Sequence, residues 1–468
     1  MAQNFLPCDR DQEFLLPPSI RDWLPEEHLA WFVIDAVKGV DLRPFYASYR
    51  QDGHGRAAHD PEMMVALLLY AYAVGERSSR AIERKLSEDV ACRVIAANQQ
   101  PDHATIARFV VRHEAALAGI FSDVLSLCAK AGLLRSGTLA LDSTKLAANA
   151  SGQANMDYEQ IARAILREAA DLDAREDELY GERRGDELPE QLRDSRSRRE
   201  WLRKARAELA AEQAQRTPPG SRQERLAEAK RRLEEQHELE RRAVAGYEQS
   251  RAERERERAA AGQRMRGRPR TNPLVVPERP CGRVNVTDPD SRPVRTARGF
   301  IQGYNAQAAA TEDQIVVCAE LALGSPDQGL LAPLADAACV QLEAAGAAPP
   351  QTLLADAGYW QARQIAELRG RGIDPLVAPD GQTRRGPPPK RSALAAELRA
   401  RLKTEDGAAL YRKRQQIIEP VFGQTKANRR LDRFLRRGLA ACLTEWRLIN
   451  ATHNLLKLWR HSQLPAAA

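Results

Sequence analysis

Two short apolar runs each end in an aspartate. One is Gly137-Thr138-Leu139-Ala140-Leu141-Asp142 and the other is Thr352-Leu353-Leu354-Ala355-Asp356. A run of this length and composition reads as a buried strand that delivers the aspartate to its tip. Glu419 lies later, on a segment read as a helix in a basic setting. Three carboxylates brought from two strand tips and a packed helix suit hard divalent cations, which take oxygen ligands and keep waters. Two Mg²⁺ ions about 4 Å apart can activate a water or a 3′-hydroxyl and stabilise the leaving oxygen of a phosphodiester. In that arrangement Asp142 bridges both ions, and Asp356 and Glu419 hold one each. Nearby Arg and Lys would neutralise the phosphate. An aspartate at a strand end is more commonly a turn former or a cap, so residue types and spacing alone leave this chemistry open.

The charge distribution points to the same class of partner. The 468-residue chain carries 71 Lys+Arg against 64 Asp+Glu, a net charge of +7. Between Tyr411 and Arg437 nine Lys/Arg face only Glu419 and Asp432, so this segment alone holds an excess equal to that of the whole chain. Such a stripe suits a polyanion, most commonly a phosphate backbone, and suits equally a solvated helix face. With 43% hydrophobic residues the chain can build real cores, which excludes wholesale disorder. No run of about 18 uncharged apolar residues occurs, so no membrane partner is expected, and Met1 to Arg10 lacks the pattern of a secretory leader. The seven cysteines are scattered, with no CxxC pair, which argues against a zinc ribbon or a disulfide framework and for a reduced, cytoplasmic protein. The eight histidines show no metal-binding spacing. Asp288 and Asp290, separated by Pro289, read as a turn.

The elements that must position these residues follow from the local signals. Residues 1–135 read as helical. Asp60-Pro61 starts one helix, Ser78-Ser79 a second that runs to about Ala97, and Asp102 caps a third that carries Thr105, Arg108 and Arg112. A pair of helices joined by the short turn Asn98–Pro101 fits a helix-turn-helix, and fits a plain helical bundle as well. From about Asp157 to Arg270 the chain is rich in Arg, Glu, Ala and Leu with balanced charges, interrupted by Thr217-Pro218-Pro219-Gly220. This reads as a helical hairpin with arms over Glu190–Gln215 and Arg222–Ala261, or as a charged linker. Residues 271–400 return to an α/β texture: a hairpin about Thr311–Asp313, a helix from Gly329 to Ala344, the Asp356 strand, a helix over Gln361–Arg371, a strand over Ile373–Ala378, and a basic loop-rich stretch from Thr383 to Gly407. A long helix from Tyr411 to Arg430 with a kink at Pro420 follows, and further helices close the chain.

Four segments carry a resemblance: Leu141-Asp142-Ser143-Thr144-Lys145, Gly303-Tyr304-Asn305-Ala306-Gln307, Ala355-Asp356-Ala357-Gly358-Tyr359 and Ile418-Glu419-Pro420-Val421-Phe422-Gly423. In these the chain resembles DDE insertion-sequence transposases, specifically the insertion sequence 1182 family within the insertion sequence 4 superfamily. The resemblance implies a ribonuclease-H-like catalytic domain, a mixed five-stranded sheet with helices on both sides, in an α+β or α/β class. It implies that Asp142, Asp356 and Glu419 are the catalytic and metal-binding triad, with two Mg²⁺ ions for which Mn²⁺ substitutes. The superfamily's Tyr, Arg, Glu, Lys signature maps to Tyr411, Arg414, Glu419 and Lys426. Glu419 and Lys426 keep its spacing, whereas Arg414 stands one residue too early and Gln415 occupies the expected place. The DNA contacts expected are Tyr411, Arg414, Lys426, Arg429 and Arg430 at the catalytic site, with Thr105, Arg108 and Arg112 in the N-terminal region.

The organisation expected is therefore an N-terminal helical DNA-binding domain over 1–135, a catalytic domain over 136–156 and 271–437, a helical-hairpin insertion over 157–270, and a C-terminal helix and tail over 438–468. The partners expected are double-stranded DNA, both transposon ends and target, and a second copy of the chain in a synaptic homodimer. The hairpin is expected to contribute to that dimer contact through Leu226 and Leu233, the alternative being that its arms fold back on their own catalytic domain, and the location expected is the nucleoid of a prokaryotic cytoplasm. A DNA-binding regulator that has lost catalysis is the first alternative, and a structural coiled-coil protein explains only 157–270.

Overall fold

The computed structural model describes residues 19–49, 57–180, 221–262, 275–381 and 392–464. The proposed arm Glu190–Gln215 and the Thr217–Gly220 interruption lie outside the described residues. Contacts divide the chain into two units. The first is Met1–Ala147, Val294–Gly299 and Tyr304–Ala468, and the second is Ala148–Pro293 and Phe300–Gly303.

In the first unit the N-terminal region is helical, as expected: α1 Leu29–Val37, α2 Arg43–Tyr46, α3 Pro61–Ala73, α4 Ser79–Glu88, α5 Val90–Ile95, α6 His103–Arg112 and α7 Glu114–Lys130. Asp60 accepts the Glu62 N–H at 2.8 Å and Pro61 opens α3. From Met64 to Ala73 every residue of α3 is buried, so this helix is core on all faces. The second helix differs from expectation. Asp89 turns to extended backbone and caps a new helix, its carboxylate accepting the N–H groups of Ala91 and Cys92. Helix α4 thus ends at Glu88, and it is α4 that packs against α6. The result is a three-helix arrangement rather than two helices joined by a short turn.

The sheet has six strands where five were expected: β1 Thr138–Ala147, β4 Arg292–Thr296, β5 Gly299–Thr311, β6 Val316–Ala322, β7 Thr352–Ala355 and β8 Asp374–Val377, with β2 Asn155–Asp157 and β3 Arg283–Asn285 forming a separate pair. The order is β4-β5-β1-β7-β8, and β6 pairs with β5. The pairs β1–β7 and β7–β8 are parallel and β5–β6 is antiparallel, so the sheet is mixed. The unanticipated strand is β4, whose Arg-Pro-Val-Arg-Thr sequence buries only Val294; a polar, proline-bearing strand belongs at a sheet edge and leaves little hydrophobic signal. Helices α10 Leu331–Ala344, α11 Ala362–Gly370, α12 Ala393–Lys403 and α13 Glu405–Gly423 follow the strands, and α14 Leu439–Ser462 closes the chain. Helix α12 replaces part of the loop expected over Thr383–Gly407; Ser392 caps it by accepting the Ala395 N–H.

Helix α14 is part of the core. It packs on α7, β6 and α3, and Trp446 is fully buried with its Nε1 donating to the Gln307 carbonyl at 2.9 Å. The Asn454 amide pairs with both backbone groups of Val316 at 2.8 Å, satisfying polar groups at the start of β6 that burial would otherwise leave orphaned.

Helix α13 starts where α12 ends, and Gly407 makes that junction possible. A Cβ there would lie 2.0 Å from the Arg401 carbonyl oxygen. Gly407→Ala is expected to cost about 1–3 kcal/mol by overpacking, read as a lower denaturant midpoint. An unchanged midpoint would show that the helices part without cost.

The second unit contains α8 Tyr158–Tyr180, α9 Arg222–Ala260 and the β2–β3 pair. At 1.5 Å per residue α9 spans roughly 58 Å. Leu226 and Leu233 are buried with Ile161, Ala229, Val284 and Val286 of the same chain, and Met156, Tyr158, Ala164 and Ile165 pack against this cluster. This corrects the expectation that Leu226 and Leu233 face a second subunit. One heptad brings both leucines onto one face of α9, and α8 and β3 already cover that face.

Candidate active site

Register places the two aspartates. In the parallel β1–β7 pair Ala140 is level with Leu354. Two residues further along each strand stand Asp142 and Asp356, on the same face by the two-residue period of a strand. Backbone at Asp356 is still extended, with φ −79° and ψ 178°, so the strand geometry carries through to it. Neighbouring strands lie about 4.8 Å apart, which sets the two carboxylates side by side. Asp142 is not at a strand tip, because β1 runs on to Ala147. Its pairing with β7 has already ended, which has the same effect of opening space beside it.

The local hydrogen bonds fix both carboxylates. Asp142 Oδ1 accepts the Ser143 N–H at 2.7 Å, and Asp142 Oδ2 accepts Arg414 Nη1 at 2.9 Å. Asp356 Oδ1 accepts the Gly358 N–H at 2.8 Å. Burial pushes the Asp142 carboxyl above its ordinary pKa; the Ser143 N–H and Arg414 oppose this, while Asp356 and Asp327 add to it. A carboxyl held back from ionising by burial and by other carboxylates is one that additional positive charge would favour.

Helix α13 packs along β1 and reaches β7. Arg414, Ile417, Ile418 and Val421 form its buried face. Tyr411 is half-buried, with the Arg414 guanidinium 5.8 Å from its ring centroid. Pro420 has no N–H for the Gln416 carbonyl one turn back, and Gln314 Nε2 donates to that carbonyl instead, at 3.0 Å. A π-turn over Gln424–Asn428 follows. It aims Lys426 at β1, where Nζ donates to Thr144 Oγ1 at 2.8 Å and the Lys145 carbonyl at 2.9 Å. Burial lowers the Lys426 pKa, Asp432 opposes the shift, and Lys145 reinforces it.

The structure thus brings Asp142, Asp356, Arg414 and Tyr411 into one electrostatic neighbourhood. Glu419 is exposed on α13, five residues beyond Arg414 and about 140° around the helix from it. Among the described residues no three His, Cys, Asp or Glu side chains are grouped closely enough to hold a metal. The hard oxygen donors of Asp142 and Asp356 fit a divalent cation, and Arg414 now answers one of those oxygens.

The structure buries two of the expected DNA contacts. Arg429 is only 7% exposed, and its guanidinium donates to Thr452 Oγ1, Thr425 Oγ1 and the Ile449 carbonyl. Burial, with Arg77 adding, lowers its pKa to about 10. It is a core residue. Arg414 is 7% exposed and bound to Asp142. The basic stripe is therefore thinner than its sequence count, since Lys413 pairs with Glu312 and Arg436 with Glu114. Arg412, Arg430 and Arg433 are exposed, Arg430 with φ +55°.

In the N-terminal region Asp102 accepts the Thr105 N–H at 2.6 Å and starts α6 as expected. Arg108 and Arg112 are exposed. Arg108 bonds the Ala104 carbonyl and Thr105 Oγ1, while Arg112 donates to the Ser48 carbonyl at 2.6 Å and sits 4.6 Å from the Tyr49 ring centroid.

Comparisons with known proteins give matches over two parts of the chain. Residues 18–112 match a transposase domain (DUF772), and residues 382–459 match a transposase DDE domain. These matches support a DDE-type transposase. The DDE domain is that of a metal-dependent transposase enzyme, so DNA is the partner. The second match contains Glu419 and Lys426; Asp142 and Asp356 lie outside both. No curated protein and no solved structure gives a match. No helix among the described residues is long and apolar enough to cross a membrane.

One residue of the neighbourhood went unread. Asp327 lies beside Asp142 and Tyr359 and contributes to the pKa shifts of both. In the sequence it stands in Ser325-Pro326-Asp327-Gln328, which is indistinguishable from an ordinary turn before a helix.

Proposed function

We propose that the protein is a DNA transposase of the insertion sequence 1182 family that binds the terminal inverted repeats of its element. It hydrolyses the phosphodiesters at those ends and joins the freed 3′-hydroxyls to target DNA. The observation that carries this reading is the level placement of Asp142 and Asp356 beneath the helix that bears Glu419 and leads to Lys426.

Asp142 and Asp356 would hold the divalent cations, two Mg²⁺ with Mn²⁺ able to substitute, and Glu419 would complete the set with DNA bound. The cations supply Lewis-acid activation of the attacking oxygen and charge stabilisation of the leaving one. This chain's residues do the rest. Arg414 and Tyr411 bind and orient the phosphate at Asp142, and Lys426 places positive charge two residues further along β1. Arg430 holds the flanking backbone. Helix α6, with Thr105, Arg108 and Arg112, reads the ends. A homodimer in the prokaryotic nucleoid holds two ends together.

Cleavage of a duplex carrying the inverted repeats that flank the gene, in Mg²⁺, tests the reading. An intact duplex in both Mg²⁺ and Mn²⁺ would overturn it.

Binding is expected to split into two kinds of contact. Arg430→Ala should weaken all duplexes alike and lower the slope of log K against log salt by about 0.9. Arg108→Ala should instead cost about 1–3 kcal/mol on the cognate ends and little on random DNA. Competition gel shifts over a salt series separate the two. Equal losses on both DNAs from Arg108→Ala would remove α6 from recognition.

A further inference from the structure

We propose that Asp327 is the positioning residue of the carboxylate site, holding Asp142 through Ser143 and the Asp356 turn through Gln307 and Tyr359. The inference deepens the reading above and rests on it only where a cation is concerned.

Asp327 lies in the connection between β6 and α10, off every strand. Its Oδ2 accepts Ser143 Oγ at 3.0 Å. Its Oδ1 accepts Asn305 Nδ2 and Gln307 Nε2, each at 2.8 Å. Lys145 Nζ stands 3.6 Å from Oδ1 and donates to Asn305 Oδ1 at 2.6 Å and Ser143 Oγ at 3.1 Å. Both oxygens of Asp327 are thus engaged by the chain itself, and more heavily than those of Asp142, which accept one hydrogen bond each. A carboxylate has about four acceptor positions, and three hydrogen bonds and an ion pair occupy the neighbourhood of this one.

Each arm of the network ends beside a catalytic aspartate. Ser143 is the next residue after Asp142, and its N–H is the one that Asp142 accepts. Gln307 Oε1 accepts the hydroxyl of Tyr359, a fully buried residue in the turn that begins at Asp356. Gly358 lets that turn approach: a Cβ there would lie 3.4 Å from Asp327 Oδ2 and 3.0 Å from Asp356 Oδ1. Gln307 is held in turn by its strand and by Trp446, which donates to its carbonyl. One carboxylate therefore joins β1, β5 and the Asp356 turn. Partners behind a metal-binding carboxylate commonly change metal affinity 10–100-fold when removed.

The test uses the full chain with two readouts, hydrogen exchange without metal and Mn²⁺ binding followed by electron paramagnetic resonance without DNA. Asp327→Ala is expected to speed exchange in peptides covering both 139–147 and 352–361 and to weaken Mn²⁺ by about 10–100-fold. Ser143→Ala should speed exchange mainly in 139–147, and Gln307→Leu mainly in 352–361. Each should weaken Mn²⁺ by about tenfold although Ser143 Oγ and Gln307 Oε1 are already engaged within the network. These two variants decide the matter if Asp327→Ala fails to fold. Wild-type exchange and Mn²⁺ affinity in both would overturn the proposal and leave Asp327 at most a direct ligand; unchanged behaviour of Asp327→Ala would overturn it outright. The site reading fails separately: Mn²⁺ binding that survives Asp142→Asn would sink the assignment of Asp142, while the exchange pattern would still decide the role of Asp327.

Discussion

Asp142→Asn is expected to lower strand cleavage by about a thousandfold, roughly 4 kcal/mol of transition-state stabilisation, while duplex binding stays close to wild type. The substitution keeps shape but keeps an acceptor for only one of Arg414 Nη1 and the Ser143 N–H, which Asp142 engages with different oxygens. What it removes is the charge that a divalent cation needs. Asp356→Asn should behave alike, because register makes the two residues equivalent neighbours on adjacent strands. Glu419→Gln is more informative. Glu419 is exposed and stands apart from any three-residue metal cluster among the described residues. If it joins only with DNA in place, Glu419→Gln abolishes cleavage yet leaves Mn²⁺ binding to the DNA-free protein unchanged, whereas Asp142→Asn weakens both. Gel-resolved cleavage of end-bearing duplex, set beside Mn²⁺ titration, reads this difference. Cleavage by any of the three variants within about tenfold of wild type would remove that residue from the site.

The sequence showed what local signals show. Asp60-Pro61 and Asp102 announced helix starts because a cap needs only a few neighbouring residues. The runs ending at Asp142 and Asp356 were legible as strands because continuous burial leaves a continuous apolar pattern, even though β1 proved longer. What the sequence hid was pairing. That Asp142 and Asp356 lie level follows from the match of Ala140 to Leu354, and nothing within either run specifies it. The charge count failed for a related reason: an arginine reads the same whether it meets water or, like Arg429, a threonine, a carbonyl and the interior of α14. Leu226 and Leu233 were read as an apolar seam, correctly, but the partner turned out to be α8 and β3 of the same chain. Asp327 was invisible because its importance lies in four partners distant in sequence.

Those long-range ties carry the last prediction, which concerns Glu445. This carboxylate is fully buried on α14. It accepts Arg77 Nη1 at 2.5 Å, and its two oxygens also take the N–H groups of Leu435 and Arg436 at 3.0–3.1 Å. Arg77 stands between α3 and α4 and also donates to the Arg433 carbonyl at 2.6 Å. Arg433 bridges to Ala147 at the end of β1. Glu445 thus links the N-terminal helices, the segment after Lys426 and the strand that bears Asp142. Glu445→Ala leaves a buried guanidinium and two amides without their acceptor, a loss of about 3–5 kcal/mol. At about 1–2 °C per kcal/mol for a chain of this length, the corresponding thermal transition should fall by roughly 3–10 °C. The pair Arg77→Met with Glu445→Leu removes the stranded charge and should recover part of this, though only part, because the Leu435 and Arg436 amides still lack a partner. Calorimetry on the three proteins reads the order wild type, double variant, single variant. A single variant that melts with wild type, or a double variant below the single, would show that Glu445 is not the residue holding these elements together.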